Sequence, residues 1–225
     1  RIAVVTGASG ELGRSIARTL ADCNARVVLH YLNGEARATQ LREEIQSTGG
    51  DAITIQADVS NKESVFNLRD QVKSKLGPAD IIVNNAVQQY EWTSVLNQEE
   101  EDYESQFKTC VIHNVLMAKA FIPDMINNKK GVIIITGNTA AKRGVANTPY
   151  FAPTKAAQRI LAQSLAKDFG PKGIHVAYIM IDAFINTPWT RKRIPAQIDQ
   201  PDIIFTQPED IAEEIFHIAH QKRSA

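Results

Sequence analysis

Short β-branched runs alternate with longer amphipathic segments along most of the chain. IAVVT (2–6) reads as a buried strand and ELGRSIARTLADC (11–23) as the helix that follows. The pair recurs as ARVVLHY (25–31) with EARATQLREEIQS (35–47), and as AITIQAD (52–58) with KESVFNLRDQVKSKL (62–76). ADIIVNN (79–85) precedes a long helix over roughly 100–128, and GVIIITG (131–137) precedes one over about 149–169. GIHVAYIMI (173–181) and PEDIAEEIFHIAHQ (208–221) complete the series. Strands that are apolar throughout, with no polar alternation, are covered on both faces, which implies a parallel sheet between helices. The expected fold is α/β: a doubly wound, Rossmann-like parallel sheet in three layers, α/β/α, forming a single domain over residues 1–225. Residues 186–207 break the alternation with three prolines and an RKR cluster. They read either as a lid or substrate loop or as a surface excursion.

Composition narrows the function classes. Lys+Arg and Asp+Glu both number 25, so the formal charge is zero. That balance argues against nucleic acid or an anionic membrane as a partner. No apolar run approaches the roughly 20 residues that span a bilayer. The two cysteines, Cys23 and Cys110, have no CxxC spacing, which predicts a reduced, cytoplasmic setting and no metal site. His217 and His220 share a late helix and read as a solvated pair.

The first strand runs into TGASGELG (6–13), with glycines at 7, 10 and 13. A glycine-rich turn between a strand and a helix lets backbone approach a pyrophosphate, whose charge the helix N-terminus then holds. Position between strand and helix makes Gly7, Ser9, Gly10, Leu12 and Gly13 a candidate cofactor loop.

With that loop in place, the chain resembles the short-chain dehydrogenase/reductase family over nearly its whole length. TGASGELG stands at the family's cofactor loop. ADVS (57–60) stands where the family's Asp-Val contacts adenine, which implicates Asp58 and Val59. NNA (84–86) closes the fourth strand as the family's Asn-Asn-Ala does, implicating Asn84 and Ala86. INTPW (185–189) resembles the segment whose threonine, here Thr187, contacts the nicotinamide amide. The resemblance implies NAD(P)(H) as cofactor and a small carbonyl or alcohol substrate. The second strand ends His30-Tyr31 without a carboxylate to repel a 2′-phosphate, which leans weakly to NADP(H) and places Tyr31 at the adenosine ribose. A homodimer or homotetramer through the long fourth and fifth helices is also implied.

The chain departs from the family where chemistry is expected. Glu11 stands at the middle-glycine position of the loop, and Val87 and Ala183 replace glycines. In PYFAPTK (149–155) the tyrosine lies five residues before the lysine. Five helical residues turn about 500°, so Tyr150 and Lys155 are separated by roughly 140° around a helix. The residue sharing a face with Lys155 is Phe151. The family's serine position is Asn138 and its asparagine position is Cys110, so Lys155 alone survives of the catalytic set. Candidate catalytic residues are Lys155, Asn138 and Phe151. Asn138 can donate a hydrogen bond to a developing alkoxide, and Lys155 can bind the nicotinamide ribose. Substitute acids are Tyr150, Tyr90, His113, Asp182 and Cys110. Three readings follow: an oxidoreductase with altered acid-base residues, a cofactor-binding sensor without turnover, or a structural subunit.

Overall fold

The computed structural model describes residues 1–194 and 205–221. Six parallel strands form one sheet in the order β3-β2-β1-β4-β5-β6. They are β1 Ile2–Val5, β2 Arg26–Tyr31, β3 Asp51–Gln56, β4 Ile81–Asn84, β5 Gly131–Asn138 and β6 Ile174–Ile181. The register pairs Ala3 with Val27 on one side and with Ile81 on the other. The doubly wound sheet expected from the apolar strand pattern is therefore the fold observed. Its order reverses at β1 and β4, and ligands in such sheets bind at the carboxyl ends of the strands beside the reversal.

Alternate residues of each strand feed two separate cores. Val5, Leu29, Val83 and Ile134 pack with helices α1 (Glu11–Asp22), α2 (Glu35–Ser47) and a late helix, Pro208–Ala219. Val4, Val28, Ile82 and Ile133 pack with α3 (Lys62–Lys75) and with residues of the helices that follow β4 and β5. The helices bury the faces their patterns predict. In α1 the buried positions include Gly13, Ile16, Ala17, Leu20 and Ala21, a spacing that draws one stripe down the helix. Ile16 and Leu20 are essentially inaccessible, and burial of such a side chain contributes about 1.5–3 kcal/mol. Asn61 caps α3 by accepting a hydrogen bond from the Ser64 amide.

The long helix is broken into α4 (Glu100–Phe107), a π-helical turn (Lys108–Ile112) and α5 (His113–Asn127). By length and composition Glu100–Asn127, 28 residues long, passes for a membrane-spanning helix on its most apolar 18-residue window, whose mean hydropathy is 1.2. Its acidic first turn, Glu100, Glu101 and Asp102, keeps it from being a continuous apolar run, in line with the expectation from the sequence. Its most apolar window is 61% buried inside the protein, and α5 supplies Met117, Phe121 and Met125 to the second core.

The helix after β5, α6 (Phe151–Phe169), starts two residues later than its pattern predicts. Residues 186–207 hold more structure than the loop expected there. A two-stranded sheet pairs β7 (Phe184–Ile185) with β8 (Phe205–Thr206), and α7 (Pro188–Arg193) lies between them in sequence. The remainder of that predicted loop, 195–204, lies outside the described residues. The late helix becomes α8 (Pro208–Ala219). On it, Phe216 packs against both histidine rings, at 5.8 Å from His217 and 4.2 Å from His220.

Candidate active site

The ends of β1, β2, β3 and β4 are tied together beside the sheet reversal by buried polar groups. The Thr6 hydroxyl accepts hydrogen bonds from the amides of Asn85 (2.9 Å) and Ala86 (3.0 Å). The Asn85 amide group donates to the Thr6 carbonyl. His30 joins the glycine loop to the end of β3. The Gly7 amide donates to its Nδ1 at 3.1 Å, so Nε2 carries the proton and donates to the Ala57 carbonyl at 3.0 Å. Burial, with Ala57 and Asp58 opposing it, lowers the His30 pKa to about 4, so the ring is neutral. Sequence patterns do not single out Thr6 or His30. The one signal for His30 is a polar residue at the end of an apolar strand.

The loop geometry explains its glycines. Gly7 adopts φ 68, a conformation side chains disfavour, and a Cβ there would lie 3.0 Å from the Ala86 Cα. A Cβ on Gly13 would lie 2.2 Å from the Gly7 carbonyl oxygen. The Gly10 amide closes the turn onto Gly7 at 3.0 Å. Ser9 borders the loop against Gly34, where a Cβ would lie 2.6 Å from the serine side chain, and Leu12 packs on the first core. Glu11 opens α1 and pairs with Arg37 of α2, so its carboxylate already has a cationic partner. These features form a backbone cradle at a helix start, which fits a dinucleotide pyrophosphate.

The other predicted cofactor residues have local roles. Asp58 accepts hydrogen bonds from the Ser60 amide and hydroxyl, at 2.8 and 2.7 Å, which shapes the turn after β3. Val59 and Tyr31 are buried, and Ala86 packs against the second core. Thr187 caps α7 by accepting from the Thr190 amide at 3.1 Å. Asn84 is buried at 2% exposure, and neither of its side-chain polar atoms has a partner among the described residues.

At the positions predicted to be catalytic, Lys155 lies buried beneath an aromatic layer. Its ammonium donates to the Thr136 carbonyl (3.2 Å) and to Gln158 Oε1 (3.1 Å), and it sits 5.6 Å from the centre of the Phe151 ring. Desolvation lowers its pKa. Gln158 in turn donates to the Cys110 carbonyl at 3.0 Å, inside the π-helical turn. Phe151 faces Tyr90 in a parallel stack, with centroids 3.8 Å apart and planes 11° apart. Asn138 ends β5, with its side-chain oxygen buried and unpartnered among the described residues.

The candidate acids separate clearly. Tyr150 precedes α6 as its cap residue, and its hydroxyl accepts from the Glu91 amide (2.6 Å) and donates to the Glu91 carbonyl (3.3 Å). Asp182 is exposed and lies 4.0 Å from Arg143. Cys110 is inaccessible, and His113 is 1% exposed with its Nδ1 on the Thr109 carbonyl. Tyr90 is half-buried and touches the ring of Phe151.

The short chain dehydrogenase family model matches residues 1–197. A 7alpha-hydroxysteroid dehydrogenase of Escherichia coli (strain K12) is 31% identical over 218 residues, covering 94% of this chain and 84% of the relative. A 3-oxoacyl-[acyl-carrier-protein] reductase of Synechocystis is 29% identical, covering 100% of this chain and 91% of the relative. A metagenomic short-chain oxidoreductase solved in complex with NADP superposes with a TM-score of 0.86 at 26% identity, covering 100% of this chain and 92% of that one. The cradle at the sheet reversal and the buried lysine on α6 thus sit in a chain whose sequence and fold agree on one affiliation: it belongs to the short-chain dehydrogenase/reductase family of oxidoreductases.

Proposed function

We propose that the protein is an NAD(P)-dependent oxidoreductase that interconverts a small carbonyl compound and its alcohol, with altered acid-base residues. The observation that carries this reading is the preserved cradle, in which Gly7, Gly10 and Gly13 close on one another and Glu11 is neutralised by Arg37. The nicotinamide supplies the hydride chemistry when bound. Gly7, Ser9, Gly10, Leu12 and Gly13 would hold its pyrophosphate, Asp58 and Val59 the adenine, and Asn84, Ala86, Lys155 and Thr187 the nicotinamide half. From the end of β5, Asn138 would donate an amide hydrogen bond to an oxyanion. The relatives named as a hydroxysteroid dehydrogenase and an oxoacyl reductase support a carbonyl/alcohol pair as substrate.

NADP(H) is the favoured cofactor in this reading. The end of β2 offers His30 and Tyr31 rather than a carboxylate that would repel a 2′-phosphate. A tighter dissociation constant for NADPH than for NADH supports this, and the reverse order removes it. Homodimer or homotetramer assembly is proposed through α4 and α6. An apolar hollow of about 430 Å³ there is lined by Tyr103, Phe107, Ile112 and Tyr150 among others. Phe107 and Ile160 are exposed on these helices. A cytoplasmic setting is consistent with the unpaired Cys23 and Cys110.

A second reading, a cofactor-binding protein without turnover, is favoured by one observation. The Lys155 ammonium is engaged by Thr136 and Gln158 beneath a ring that has no hydroxyl. Steady-state oxidation of NADPH in the presence of small ketones separates the two. Turnover by the natural protein supports the first. Turnover that appears only in Phe151→Tyr supports the second.

A further inference from the structure

The segment after β4 is anchored at three points. The Glu91 amide donates to the Tyr150 hydroxyl, the Glu91 carboxylate pairs with Arg193 at 2.8 Å, and the Thr93 amide donates to the Asn147 carbonyl at 3.0 Å. These anchors come from the cap of α6, from α7 and from the loop before α6. Between β4 and these anchors lies Tyr90, with its ring held flat on Phe151. A tilted contact with Trp189 at 6.0 Å and an edge contact with Tyr150 at 6.3 Å bound it further. The chain therefore holds a phenol one ring thickness from the position where the family carries one.

We propose that Tyr90 is the proton donor of the reaction, replacing from the β4 side the hydroxyl that Phe151 lacks. The assignment rests on the reductase reading above and adds a residue that the family motif does not supply. Among the described candidates, Tyr90 alone combines half-burial with contact to Phe151, while the hydroxyl of Tyr150 is consumed by Glu91. Tyr150 then becomes a positioning residue, because it fixes the backbone that carries Tyr90. In the reductive direction a bound reduced nicotinamide would supply a hydride, with its electron pair, to the carbonyl carbon. The C=O π pair moves to oxygen. The Tyr90 O–H bond breaks and its proton goes to that oxygen, giving the alcohol. Solvent water reprotonates the phenolate. Burial raises the Tyr90 pKa, so the phenol is protonated at neutral pH and able to donate. The Trp92 indole N–H, which can only donate, and the Arg193 cation favour the phenolate left behind.

The test uses the full chain with NADPH and two ketone probes, isatin and ethyl acetoacetate, beside an ultraviolet titration of tyrosinate. Tyr90→Phe is expected to lower kcat by about 10²-fold or more while leaving the NADPH dissociation constant within about twofold. Phe151→Tyr in the Tyr90→Phe background is expected to restore at least about tenfold of the loss. The tyrosinate signal lost in Tyr90→Phe is expected to move to lower pH in the wild type when NADP⁺, an anion overall whose nicotinamide ring is cationic, places that ring beside Tyr90. Trp92→Phe, which keeps Tyr90, is expected to move that signal to higher pH and so covers a failure of Tyr90→Phe to fold. Wild-type turnover that survives Tyr90→Phe within about twofold overturns the assignment and leaves the reductase reading standing. A tyrosinate signal insensitive to NADP⁺ overturns the assignment whatever the substrate. Failure of NADPH to bind at all overturns both.

Discussion

Tyr150 shows how one residue's displacement changes its work. One position before α6, it is off the helical face of Lys155, and its hydroxyl bridges the amide and carbonyl of Glu91. Tyr150→Phe removes both hydrogen bonds and leaves the Glu91 amide and carbonyl short of a partner, at about 1 kcal/mol or somewhat more. For a chain of this length that corresponds to a melting shift of about 2–4 °C, readable by calorimetry. Turnover is expected to fall more than stability does, because Tyr90 loses its support. His30 makes a second prediction at this scale. Its folded pKa of about 4 lies below the ordinary 6.5, so between these values the unfolded chain binds the proton that the folded chain refuses. Stability is therefore full above about pH 6.5 and declines as pH falls toward 4. His113, lowered to about 3 by burial, acts in the same direction. Denaturant titrations at pH 7.5 and 4.5 should show a smaller loss on acidification in His30→Asn, whose side-chain oxygen can still accept from Gly7. An equal loss in both proteins would remove His30 from the account.

At the scale of elements, the glycine loop and the π-helical turn set the site. The loop was legible because three glycines fall between an apolar strand and an amphipathic helix, where the turn needs residues without a Cβ. Gly13→Ala places a methyl group 2.2 Å from the Gly7 carbonyl oxygen, so the loop must open. Loss of at least about tenfold in cofactor affinity is expected, about 1.4 kcal/mol. Gly144→Ala is the control, since a Cβ there meets nothing within 4 Å. Equal cofactor affinity in the two variants would argue that the loop is no cradle. Other elements escaped the sequence for physical reasons. The strands β7 and β8 pair only at Phe184 with Phe205 and Ile185 with Thr206, too short for any periodicity. The π-helical turn adds one residue inside a continuous helical pattern, held by Thr109 on Ser105 and Asn114 on Cys110. The Tyr90 stack joins residues 61 positions apart, and no local signal encodes such a contact.

Over the whole molecule, the six strands of the main sheet and the helices packed on it were legible, because strands buried on both faces leave long apolar runs and helices leave stripes. The polar network was not, because hydrogen bonds such as Gly7 to His30 depend on tertiary placement rather than on spacing. Assembly belongs to this scale too. If α4 and α6 face a second copy, Ile160→Asp should shift sedimentation toward monomer at micromolar concentration without lowering the melting point of the monomer fold. A natural protein that is already monomeric would end that proposal. The central claim, that this chain keeps a working dinucleotide cradle despite its altered catalytic positions, is tested most directly by cofactor titration. Purified protein is titrated with NADPH and then NADH, following energy transfer from Trp92 and Trp189 to the reduced nicotinamide. The account predicts saturable binding at micromolar concentration, tighter for NADPH. Absence of binding by both cofactors would contradict it.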